Sequence, residues 1–143
     1  MTKNIDDMTE NELVEGFFTE HKGWKYKNIR PEDPSDPLMM WVEPEKGQLA
    51  TPFITDDEHE QPYNLLPDVH KDLNAFEKWV LPEVKSRFDG LVITINVGEN
   101  FEVCLDYMKD LKLIQVPNGY GYESTLALSL FKAAMKALGG EHE

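Results

Sequence analysis

The sequence predicts an α+β fold in which a small antiparallel sheet is packed between helices, in the manner of an α/β/α sandwich. Residues 91–97 form a β-branched run that alternates apolar and polar side chains in its second half, and after a Gly-Glu-Asn turn residues 101–107 alternate again. This pattern is typical of a β-hairpin, and short strands are expected to complete the sheet. Apolar side chains also recur at helical spacing on both sides of this hairpin, in segments 68–87 and 126–138. Together these patterns predict helices on both sides of the hairpin in the sequence.

The size and charge of the chain restrict its class. Its 143 residues suit one domain, with a proline-rich and acidic irregular insertion at 30–62 and a tail at 139–143. Fourteen basic residues against 27 acidic ones leave a formal net charge of -13. Such a charge repels phosphate backbones and anionic lipids, so neither nucleic-acid backbone binding nor membrane association is expected.

The cysteine content and the N-terminal residues indicate a cytoplasmic protein. Cys104 is the single cysteine, so the chain cannot form an intramolecular disulfide bond. The first residues contain no apolar signal-peptide core. Because Cys104 lies within an alternating apolar run, we expect a small buried residue there and not a nucleophile.

A helix is predicted near the N-terminus, from about Glu10 to Glu20. Thr9 and Glu12 have the spacing of a capping box, in which each residue's side chain accepts a hydrogen bond from the other's backbone amide. The apolar face of this helix is formed by four residues, Leu13, Val14, Phe17 and Phe18.

The insertion contains few regular signals. Three prolines between Pro31 and Pro37 predict a loop, and short strands are expected at 38–43 and 49–54. Four carboxylates surround one imidazole at 56–60, and this acidic run is expected to be mainly a solvated loop, with a cation site as the minor hypothesis. The spacing does not match an EF-hand.

The central helix follows a polar turn. Asp68 or Asp72 is suited to cap its first turn. A core-facing stripe of four residues recurs along it, namely Leu73, Phe76, Val80 and Val84. Pro82 either kinks this helix or begins a second one that ends at Arg87, because proline is tolerated only in a first helical turn.

The hairpin strands are predicted at 91–97 and 101–108, and a further extended segment at 111–116 ends before Pro117. Residues 117–122 contain two glycines and two tyrosines and are predicted to form a loop. The last helix begins after Ser124 or Thr125 as its cap and extends to Leu138, before a glycine pair.

The polar turn before the central helix reads Pro67-Asp68-Val69-His70-Lys71-Asp72. It resembles the Pro-Asp-Tyr-Ser-Thr-Asp turn of the phage ABA sandwich domain, a family of small uncharacterised phage and prophage proteins. Gly23-Trp24 and the alanine-rich closing helix at 126–138 are similar to elements of the same family. The resemblance implies a sheet held between helices and, if the chain is phage-encoded, a location in the host cytoplasm. Val69, His70 and Lys71 depart from the family's Tyr, Ser and Thr.

Five residues are candidates for ligand binding. Asp68, His70 and Asp72 lie in the polar turn, and their alternative role is capping or solvation. Tyr120 and Tyr122 precede the last helix, where amide groups can receive an anion and a ring can stack on a base; their alternative is turn formation. The histidines lack metal-binding spacing, and no nucleophile motif is found, so we expect no metal site, no cofactor and no catalytic residues.

These observations predict a non-enzymatic accessory protein of the phage type that binds a partner or a small ligand. An inhibitor of host defence and a sponge for nucleotide signals are two forms of this hypothesis. The alternative is an assembly protein that forms a homo-oligomer, with Phe17 and Phe18 or the last helix packed between subunits. A third hypothesis, an enzyme that uses Asp68 and Asp72 or the acidic run at 56–60, rests on carboxylate abundance alone.

Overall fold

The structure, a computed structural model, describes residues 5–28, 31–35, 39–42 and 66–139. The chain divides into two compact units, one formed by Met1–Leu13 with Asp68–Glu143 and the other by Val14–Pro67. The described residues confirm the α+β class, with helices and two antiparallel sheets of two and three strands. The strand predicted at 49–54 and the acidic run at 56–60 lie outside the described residues.

The N-terminal helix begins as the capping box predicts. The Thr9 amide donates to the Glu12 carboxylate at 2.8 Å, and the Glu12 amide donates to the Thr9 hydroxyl at 3.2 Å. Helix α1 spans Glu10–Gly16 and continues as a π-helical segment, Phe17–His21. The predicted helix is therefore confirmed, although its last five residues have π-helical geometry and not α-helical geometry.

The described part of the smaller unit includes a two-stranded sheet. Strand β2, Met39–Val42, lies within the predicted strand, whereas β1, Lys25–Asn28, was not predicted. The two strands pair antiparallel. Tyr26 and Trp41 stack with ring centroids 5.1 Å apart. Strand β1 is polar, so its pairing partner and not its own pattern explains its extended conformation.

The central helical region begins after Asp72, whose carboxylate accepts from the Asn74 amide at 2.9 Å. Helix α2 (Leu73–Ala75), a π-helical segment (Phe76–Val80) and helix α3 (Leu81–Arg87) follow without a break. The Leu81 amide donates to the Phe76 carbonyl, five residues back. Pro82 thus lies in the first turn of α3, as one of the two alternatives predicts.

Three residues of the predicted core stripe in this region, Phe76, Val80 and Val84, are buried. The fourth assignment is wrong, because Leu73 is 46% exposed. Leu73 is the first residue of the helix, where the chain has only just left the polar turn.

The larger sheet has the order β3-β4-β5, with β3 at Leu91–Val97, β4 at Phe101–Lys109 and β5 at Lys112–Glu123. Strands β3 and β4 confirm the hairpin. The loop predicted at 117–122 is wrong, because β5 continues through it. Cys104 pairs with Tyr120 while Asp106 pairs with Gln115, so extra residues bulge out of β5 before pairing resumes.

Helix α4, Leu126–Leu138, packs against β5 and β4. The Thr125 hydroxyl caps it by accepting from the Leu128 amide at 3.3 Å. Its last carbonyl, that of Leu138, accepts from the Arg87 guanidinium at 2.6 Å. Among the described residues, no helix is long and apolar enough to cross a membrane.

Two glycines of β5 permit the close approach of α4 and β4. A Cβ atom at Gly121 would lie 3.0 Å from the backbone carbonyl carbon of Ser129 and closer still to its oxygen. A Cβ atom at Gly119 would lie 2.9 Å from the Leu105 Cβ atom. Both glycines occupy buried positions of β5, so close packing explains why these positions lack a side chain, and no ligand is needed to explain them.

Candidate functional site

The candidate ligand residues fall in two separate places. Asp68, His70 and Asp72 lie in the turn before α2, and Tyr120 and Tyr122 lie on β5. The structure gives these two groups different partners: the turn bonds within itself and contacts Glu10, whereas Tyr120 bonds to Glu102.

The polar turn is held by its own hydrogen bonds. The Asp68 carbonyl accepts from the amides of Lys71 at 3.1 Å and Asp72 at 2.8 Å. The Asp72 carboxylate caps the helix. The capping alternative therefore accounts for Asp72, and the turn itself accounts for the backbone of Asp68.

His70 is buried in the larger of the two units, since only 7% of its surface is exposed. Its Nε2 atom is 3.4 Å from the Glu10 carboxylate, which lies on α1. Its buried Nδ1 atom has no hydrogen-bond partner within the described part of the chain. A ligand from solvent has little access to this imidazole, whose contact with Glu10 joins the turn to the first helix.

The two tyrosines lie on the side of the sheet opposite α4, which we call the outer face. Alternation along β4 places Glu102, Cys104 and Asp106 on this side, whereas Val103 and Leu105 are buried beneath α4. Cross-strand pairing adds Asn96 from β3, and Tyr120 and Tyr122 from β5. Tyr120 is 41% exposed and Tyr122 is 53% exposed. The outer face is therefore accessible to a partner.

Glu102 is the centre of a hydrogen-bond network on the outer face. The Tyr120 hydroxyl donates to one carboxylate oxygen at 3.0 Å, and the Asn96 amide group donates to the other at 3.0 Å. Neither Glu102 nor Asn96 was predicted as a site residue. Their alternation in β3 and β4 could have indicated a shared polar face, but Tyr120 was assigned to a loop.

Two groups of the outer face have perturbed acidity. The pKa of the Tyr120 phenol is raised, mainly by its hydrogen bond to Glu102 and to a smaller extent by partial burial. The pKa of the Cys104 thiol is also raised, mainly by burial and to a smaller extent by the negative charges of Glu102 and Asp106. Cys104 is only partly buried, in contrast to the expectation of a buried side chain. A thiol held in its protonated form is a poor nucleophile.

We expect the Tyr120 phenol to titrate at lower pH in a Glu102→Gln variant than in the unmodified chain. Because the folded-state pKa is raised, the bond to Glu102 stabilises the fold below the unfolded tyrosine pKa, about 10. This stabilisation is lost as pH rises through the folded pKa. Carbon-13 NMR of the tyrosine ring Cζ atoms measures the shift, with Glu99→Gln as an isosteric control. Equal Tyr120 titration in all three proteins would contradict the assigned cause.

No group of three or more His, Cys, Asp or Glu side chains suited to a metal ion occurs among the described residues. The suggested cation site at 56–60 lies outside them.

Comparison with models of known families, with characterised proteins and with solved structures finds no match to this chain. The geometry of the outer face is therefore the basis for a functional proposal.

Proposed function

We propose that the chain is a non-enzymatic accessory protein whose outer face binds a basic protein surface. One observation supports this proposal: exposed tyrosines lie beside carboxylates on a sheet face that α4 leaves open. The resemblance to the phage ABA sandwich domain favours a phage-type protein of that family, and an inhibitor of a host defence protein in the host cytoplasm is the form of accessory protein that we propose.

The side chains of the outer face suit arginine and lysine. Tyr120 and Tyr122 offer ring faces to a guanidinium group, a contact that contributes about 0.5–1 kcal/mol at an exposed site. Glu102 and Asp106 accept charge-assisted hydrogen bonds. The net charge of -13 attracts a basic partner over longer distances.

The hydrogen-bond network prepares this surface for binding. Glu102 is held by Tyr120 and Asn96, so less side-chain freedom is lost when a partner docks. The same carboxylates disfavour the nucleotide-sponge form of the hypothesis, because they repel a phosphate group. A basic protein partner is therefore the form that the charges favour.

An arginine-rich peptide tests the proposal, with a glutamate-rich peptide of equal length as the negative probe. Amide chemical-shift changes in NMR are expected to concentrate on the outer face. An Asp106→Asn, Tyr122→Ala variant is expected to bind about tenfold more weakly, a loss of about 1.4 kcal/mol.

The matched control is an Asp110→Asn, Leu111→Ala variant. It makes the same change in charge at the β4–β5 turn, where Leu111 is 95% exposed. If both variants weaken binding equally, or if shift changes spread evenly over the acidic surface, net charge alone explains binding and the proposal is wrong.

The surfaces first suggested for a homo-oligomer are buried. Phe17 and Phe18 are each 0% exposed, and most of α4 lies against its own sheet. The apolar side chains of both surfaces are buried within the chain, so their burial does not favour either surface as a subunit interface.

A further inference from the structure

The two edges of the described three-stranded sheet differ in their protection against further pairing. At the β5 edge, Pro117 has no amide hydrogen, Asn118 has a φ of 60°, and the strand bulges. Prolines and bulges are the devices by which proteins block an edge strand. Strand β5 is therefore a poor template for another strand.

Strand β3 has none of these devices. Its seven residues, Leu91–Val97, include no proline and no charged side chain. They pair with β4 in unbroken register from Leu91 opposite Tyr107 to Val97 opposite Phe101. Within the described sheet, the other side of β3 is a regular and uncharged edge, which is the kind that accepts a further strand.

An apolar row adjoins this edge on the α4 side of the sheet. Alternation places Ile93, Ile95 and Val97 in the row. Helix α4 packs mainly on β5 and to a smaller extent on β4, so it covers little of β3. The exposed fraction of the side chains in the row reaches 40% at Ile95 and 71% at Val97. The row thus offers apolar surface beside backbone groups that no described strand pairs with.

We propose that β3 pairs antiparallel with β3 of a second copy, joining two three-stranded sheets into one. A two-fold axis perpendicular to the sheet and midway between the two β3 strands keeps each sheet face on the same side, so the apolar row of one copy meets that of the other. Each chain has a net charge of -13, and an uncharged strand brings the copies together without opposing carboxylates within the paired segment. This interface is separate from the outer face.

The size of the contact sets its strength. A strand of seven residues is about 23 Å long, so the paired strands bury less than the roughly 1,200 Å² of a stable interface. The dimer is therefore weak and reversible. Repulsion between two chains of the same charge makes it stronger at higher salt, whereas binding of a basic partner becomes weaker. Opposite salt dependence separates the two proposals.

Sedimentation velocity tests the dimer over a concentration series at low and moderate salt. The unmodified chain is expected to shift reversibly towards a dimer as either concentration or salt rises. Hydrogen exchange at the same concentrations is expected to show increased protection at alternate β3 amides. A chain that stays monomeric throughout, or a dimer without β3 protection, would overturn the proposal.

Val97→Lys is expected to weaken the dimer by about tenfold, because it places a charged side chain in the apolar row, opposite Leu91 of the second copy. Leu113→Lys makes the same change on β5, where Leu113 is 57% exposed, and is expected to leave the dimer intact. Ile95→Lys serves as a second β3 variant if Val97→Lys melts at a lower temperature. Equal dimerisation of the β3 and β5 variants contradicts the proposal, whatever the outcome at the outer face.

Discussion

Replacing Gly121 with alanine is expected to lower the free energy of unfolding by about 3 kcal/mol, the upper end of overpacking costs. The new Cβ atom would meet the backbone of Ser129, within 3.0 Å of its carbonyl carbon. A backbone group cannot rotate away as a side chain can, so α4 would have to withdraw from β5 and lose buried contacts. Urea unfolding followed by circular dichroism measures the loss.

Gly98→Ala is the matched control for this substitution. A Cβ atom at Gly98 would find no heavy atom within 4 Å, and the residue lies in the turn between β3 and β4. Its effect is expected to stay within about 0.5 kcal/mol. If the two variants lose similar stability, glycine at 121 serves some purpose other than the approach of α4.

Glu123→Ala is expected to destabilise the chain by about 2 kcal/mol. Its carboxylate lies 2.6 Å from the Lys132 ammonium, and only 11% of the lysine side chain is exposed. Removing one partner of a buried pair costs about 3–5 kcal/mol. The expected loss is smaller here because the Glu123 side chain is 26% exposed, so water screens the pair.

Lys132→Met should cost less than Glu123→Ala, within about 1 kcal/mol, because methionine fills much of the same space without a charge. In the double variant, losing Glu123 should then add little to the Lys132→Met effect. Urea unfolding of all four proteins gives the coupling energy between the two side chains. Additive effects would show that the ion pair contributes no stability and that packing alone keeps Lys132 buried.

Local patterns predicted the elements whose stabilising groups lie close together in sequence. The Thr9 and Glu12 capping box and the β3–β4 hairpin are examples. Strand β1 and the second half of β5 were missed because their conformations depend on distant residues. Pro117 and two glycines in 117–122 indicate a turn by composition, but the strand resumes beyond the bulge and packs against α4.

The candidate site was predicted only in part, for the same physical reason. Asp72 as a helix cap follows from a local signal, and the structure confirms it. The contact of His70 with Glu10 brings together distant parts of the chain. The bond between Tyr120 and Glu102 requires the registers of both β4 and β5. Tyr120 was therefore selected as a site residue without its partner.

The close passage of α4 over β5 also limits how this protein can diverge. A side chain at Gly121 requires α4 to move outward, and no single change at Ser129 relieves a clash with its backbone. Exposed positions such as Tyr122 can vary without moving any element. Descendants whose exposed surfaces change can therefore keep glycine at this crossing, which makes Gly121 a better marker of common ancestry than exposed residues such as Tyr122.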